Sequence, residues 1–127
     1  MSYTIKNLRD VEDVAARFGS DGSQELRFAT GALEAQDTGF THLTVKPGQR
    51  SQAHKHELAE EVYVVLSGSG RVKLDGDTVE LRPLDAVRVA PPVGRSFEAG
   101  PDGLELLAFG PHRTGDGELL TEEFWTS

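Results

Sequence analysis

Short β-patterned runs cut by glycine and proline constrain this chain more than any other feature. Residues 25–33 and 40–45 read as strands, and 62–66 is a run with apolar residues on both faces. Residues 72–74 and 79–81 alternate around Asp75-Gly76-Asp77, a strong hairpin signal. Val87 and Val89 form a further short strand ended by Pro91-Pro92, Phe97 lies in another, and 104–109 is the last. The 14 glycines and six prolines are spread along the chain and supply the turns. Strands at spacings of ~8–12 residues with such turns predict an all-β sandwich or barrel. We place its core at about residues 25–110 of one domain spanning 1–127.

Ahead of this pattern, Val11, Val14, Ala15 and Phe18 fall on a helical stripe, with Asp10 as a cap and Gly19 as a stop. The spacing predicts a short N-terminal helix of about two turns, too brief to hold without a surface to pack on. The alternative for this segment is extended chain. Lysine and arginine total 13 against 21 aspartates and glutamates, a formal charge of -8. That balance disfavours nucleic acid and an anionic membrane surface as partners. There is no cysteine, so disulfides and thiolate metal sites are excluded. The first residues carry no apolar secretory segment, and no run reaches the ~20 residues that span a bilayer. The expected location is cytoplasmic.

The chemistry concentrates between Gly48 and Gly68. His54 and His56 are two residues apart, so on an extended strand their imidazoles share a face. Glu61, at the start of an apolar run, can add a carboxylate oxygen. Two histidines and one carboxylate form a three-ligand set that leaves metal positions open for water, oxygen or substrate. Gly68-Ser69-Gly70 lacks the Lys-Ser/Thr and following helix of a phosphate loop and reads as a hairpin turn. Val62, Val64 and Leu66 share one strand face, and Glu61, Tyr63 and Val65 the other. If the Glu61 face lines a cavity, the valine face needs cover from the N-terminal segment or a second subunit, so a homodimer is expected.

At these residues the chain resembles the cupin superfamily. Gly48, His54, His56, Glu61 and Gly68 match every anchor of its first motif, and the register set by Gly68 selects Glu61 over Glu60 as the ligand. The resemblance covers about residues 40–110. It implies a double-stranded β-helix, a jelly-roll barrel with one ligand cavity, holding a divalent transition metal such as iron, manganese, nickel or zinc. The second motif is degenerate. Leu84 and Pro92 stand in place of its glycines, Ala90 of its proline, Arg95 of its histidine and Ala99 of its asparagine.

Arg95 cannot ligate a metal, because guanidinium offers no lone pair. Two readings follow. In one, His54, His56 and Glu61 hold the metal, Arg95 binds an anionic substrate group, and Tyr63 lines the cavity. In the other, Arg95 pairs with Glu61 and the pocket is metal-free. The first makes the protein a metal-dependent enzyme acting on a small, acidic organic molecule, with dioxygenase-like chemistry ahead of isomerase or lyase chemistry. The second fits the alternative function, a non-catalytic module that binds or senses a small ligand, with or without a structural metal. His42 reaches the site only if its strand register allows, and a paired or solvated histidine is the simpler expectation for it and for His112.

Overall fold

The computed structural model describes residues 2–127. Its strands are β1 (Gln24–Phe28), β2 (Thr38–Val45), β3 (His54–His56), β4 (Glu61–Leu74), β5 (Asp77–Leu81), β6 (Ala86–Val89), β7 (Arg95–Pro111) and β8 (Gly117–Leu119). They form one curled antiparallel sheet. Its path runs β1-β2-β7-β3-β8, while β4 joins through β7 and carries β5 and β6. This is an all-β barrel, as the strand spacing predicts, and the double-stranded β-helix that the cupin resemblance implies.

The two longest strands set its shape. β4 has 14 residues and β7 has 17, and they pair from Val62↔Phe109 to Leu74↔Arg95. Strands of that length accumulate twist, and the pairing slips between Val65 and Ser67 and between Gly68 and Gly70. These slips are bulges, which bend a strand without ending it. The predicted hairpin turn at Gly68-Ser69-Gly70 is therefore corrected: these residues lie inside β4. A turn and a bulge both need glycine, so composition alone does not separate them. Gly68 has a φ of +84°, and a Cβ there would lie 2.0 Å from the Gly103 carbonyl oxygen. Gly68→Ala should cost about 2–4 kcal/mol through strain and overpacking, measurable by urea unfolding. A loss below ~1 kcal/mol would mean that β7 yields at this crossing.

The strand predicted over 25–33 ends at Phe28, and Ala29–Ala32 form a helical turn whose Thr30 hydroxyl accepts the Phe40 N–H at 2.8 Å. The N-terminal stripe gives two 3-10 turns, Leu8–Asp10 and Ala15–Phe18, rather than one helix. Asp13 Oδ1 accepts the N–H groups of Ala15 and Leu26, and Val14 N donates to Leu26 O, so these residues are tied to β1 instead. Asn7, not Asp10, caps the first turn, while Gly19 ends the second in the left-handed conformation. Among the described residues no helix is long and apolar enough to cross a membrane.

Side chains facing inward fill the curl. Val45, Val65, Val72, Phe97 and Leu106 are all but inaccessible to water, and each contributes about 1.5–3 kcal/mol by burial. The Tyr63 ring packs on Phe97 with centroids 4.8 Å apart, so its hydroxyl emerges from the core at a fixed point. On the outer face Val62 and Val64 are half-buried and Phe40 stacks on Phe109 at 4.8 Å. Leu66 and Phe109 stay partly exposed there.

Candidate metal centre

The site is built where three strands start or end. β3 is only three residues long, but it is held on both edges. His54 pairs with Arg95 of β7, and all three residues pair with β8, from His54↔Leu119 to His56↔Gly117. Alternation then sends both imidazoles to one side. Glu61 is the first residue of β4, opposite Val89 of β6. Its carboxylate meets the histidines: Oε1 is 3.0 Å from His56 Nε2 and 3.5 Å from His54 Nε2. The side chains of His56 and Glu61 are mostly buried, and His54 is the most open of the three.

Both histidines turn Nε2 inward. His54 Nδ1 faces the Gln52 carbonyl oxygen at 3.5 Å, and His56 Nδ1 lies 3.2 Å from Asp116 Oδ2. His56 Nε2 is buried and has no well-formed hydrogen bond to protein. A buried ring nitrogen without a partner is costly, and a metal ion removes that cost. The spacing also fits. Ligand atoms about 2.0–2.2 Å from one ion sit roughly 3.0–3.5 Å apart in tetrahedral or octahedral arrangements. His54, His56 and Glu61 each offer one atom within 4.8 Å of the others, so the residues present fit a divalent metal.

Arg95 is fully buried at the start of β7. Its Nη1 donates to Glu61 Oε1 at 2.9 Å, Nη2 to the Ala90 and Pro91 carbonyl oxygens, and Nε to Val93 O. Asp75 sets this up at the β4–β5 hairpin, because its Oδ1 accepts the Gly94 N–H at 2.8 Å. The assignment of Arg95 as a substrate-binding residue is therefore corrected. A guanidinium with no accessible surface and four of its five N–H donors engaged does not meet a ligand, and the arginine is the partner of Glu61. Tyr63 is corrected likewise. It is 2% exposed, and its hydroxyl donates to Glu61 Oε1 and lies 3.4 Å from His54 Nε2. It anchors the carboxylate instead of lining a substrate surface.

The electrostatics follow from this packing. Burial would raise the Glu61 carboxyl, but the imidazoles of His54 and His56 and the Tyr63 hydroxyl beside it outweigh that and hold the group well below the ordinary carboxylate range. Burial, then the Glu61 charge, pushes the Tyr63 phenol up, so it stays a donor.

Other candidates lie elsewhere. His42 Nε2 is 2.7 Å from Glu105 Oε2, and His42 pairs with Leu107 on the opposite face of the sheet from Tyr63 and Glu61. Glu60 pairs with Arg88, Lys55 with Glu118, and Lys73 bonds the Ser127 carbonyl oxygen. Gln52 bonds Phe18 and Gln24, and His112 is exposed. Sequence reasoning missed Asp116 and strand β8. Asp116 sits between two glycines in a polar stretch, which signals only a turn.

A family model described as Cupin domain matches residues 41–108. The uncharacterized protein MJ1618 of Methanocaldococcus jannaschii is 30% identical over 79 residues, 60% of this chain and 63% of that protein. The chain thus spans less than two thirds of that relative's length. Among solved structures, the polyketide cyclase RemF from Streptomyces resistomycificus superposes with a TM-score of 0.79 at 23% identity, over 98% of this chain and 91% of that one. A variant of the oxalate decarboxylase of B. subtilis gives 0.78 at 16% identity, over 94% of this chain and 33% of that one. At these identities the two structures speak for the fold alone.

Proposed function

This chain belongs to the Cupin domain family, and from that premise we propose that it is a metal-dependent enzyme acting on a small organic molecule. The observation that carries the reading is the convergence of His54, His56 and Glu61, with His56 Nε2 buried, 3.0 Å from Glu61 Oε1 and in no well-formed hydrogen bond. His54, His56 and Glu61 would hold the ion. Tyr63 and Arg95 both donate to Glu61 Oε1, so they fix the carboxylate against the core and keep it ionised. A metal held by two imidazoles and one carboxylate supplies either oxygen activation, if iron(II), or Lewis-acid polarisation of a carbonyl or enol. Dioxygenase-like chemistry is the leading form of the proposal, and isomerase or lyase chemistry the next. The cyclase and the decarboxylase show that this fold carries enzymes, and neither names a substrate for this chain.

One observation favours a second reading. The Arg95–Glu61 contact sets a buried cation directly on the carboxylate, as a metal-free ligand-binding module would need. Elemental analysis of protein purified without an affinity tag or chelator separates the two. About one equivalent of iron, manganese, nickel or zinc per chain is expected. No bound metal, even after anaerobic loading with Fe(II) or Mn(II), would overturn the enzyme reading in favour of the binding module.

A further inference from the structure

We infer that Asp116, delivered by the turn into β8, is the positioning residue of His56, so that the C-terminal strand completes the metal centre. This deepens the metal reading above and rests on it. Three observations place Asp116 in that role. Its Oδ2 is 3.2 Å from His56 Nδ1, close enough to orient the ring without a well-formed hydrogen bond. Its side chain is nearly inaccessible, at 6% exposure. Its remaining contacts all fall on the loop between the two histidines and Glu61. Oδ1 accepts the Leu58 N–H, Oδ2 the Ala59 N–H, and the Asp116 carbonyl oxygen the Glu57 N–H. One residue therefore fixes the orientation of one ligand and the path of the chain leading to another.

The chemistry requires such a partner. A metal takes the Nε2 lone pair, so Nδ1 must carry the ring proton, and a carboxylate facing Nδ1 selects that tautomer. β8 holds Asp116 in place through its pairing with β3 and through Leu120 N, which donates to Ala53 O at 2.8 Å. Beyond it, Trp125 donates to Ser96 Oγ and lies under the Arg50 guanidinium, 4.4 Å from the ring centroid, which pins the tail to the sheet.

The test is a Co(II) titration of metal-free full-length protein, comparing wild type, Asp116→Asn and Glu118→Gln. Glu118 is on the strand that Asp116 leads into but points to exposed Lys55, so it controls for a general loosening of β8. The expected result is a ~10–100-fold loss of Co(II) affinity in Asp116→Asn alone. Equal affinity in Asp116→Asn and wild type, or an equal loss in both variants, would overturn the inference while leaving the three-ligand site standing. Failure of wild type to bind Co(II) would instead remove the metal reading itself, and the inference with it. A second measurement needs no variant. Nitrogen-15 spectra of the Zn(II)-loaded wild type should show His56 with its proton on Nδ1 and its Nε2 on the metal. A proton on Nε2 would contradict the assignment.

Discussion

Replacing Arg95 by methionine should destabilise the protein by about 3–5 kcal/mol, the usual cost of stranding one member of a buried ion pair. The guanidinium is fully inaccessible and bonds Glu61 and three backbone carbonyl oxygens. Methionine fills a similar volume with apolar atoms, so little of the loss would come from a cavity. It would come from a carboxylate without its cation and from carbonyls without donors. For a domain of this size the melting temperature should fall by roughly 10–20 °C. Adding Glu61→Gln removes the stranded charge and should recover much of the loss, as the double-mutant cycle would report. An unfolding free energy within ~1 kcal/mol of wild type in Arg95→Met would show that the pair contributes no more than a surface contact.

His56→Ala, and separately His54→Ala, should abolish stoichiometric metal binding. Each removes one of three ligands, so the loss should exceed the ~10–100-fold expected for an outer partner. His42→Ala is the contrast. Its imidazole is buried against Glu105 on the other face of the sheet, so its removal should lower stability and leave metal affinity intact. Isothermal titration of each variant reads both arms. Full stoichiometry retained in His54→Ala and His56→Ala would sink the ligand set, and loss of metal in His42→Ala would mean that the two faces are not independent.

The part of the site legible in the sequence is the part that is local in it. His54 and His56 share a strand face because two residues separate them, and Glu61 follows within a few residues. The hairpin at Asp75-Gly76 was equally readable, since the strands flanking it pair in register from Leu74↔Asp77 outward. What Arg95 meets depends on how β7 crosses β3 and β4, more than thirty residues away in sequence, so the residue type alone leaves both a ligand clamp and an ion pair open. Asp116 is further still. Its role arises only because β8 returns to β3, and Gly115-Asp116-Gly117 carries no sign of that pairing. The N-terminal stripe had helical periodicity, but the Asp13 side chain competes for the backbone N–H groups, which periodicity does not weigh.

The contact between Arg95 and Glu61 has a consequence for which molecules the site would hold. A buried arginine beside a buried glutamate cancels its charge before anything enters. Neutral imidazoles from His54 and His56 add none. A dication bound there would meet only the outer charge of Asp116, behind His56, and a low-dielectric pocket tolerates such an imbalance poorly. The remaining coordination positions would then favour an anion, such as a carboxylate, an enolate or hydroxide, over a neutral molecule of the same shape. Arg95 would thereby bias the site toward acids from behind the carboxylate, through its field alone and without touching the ligand.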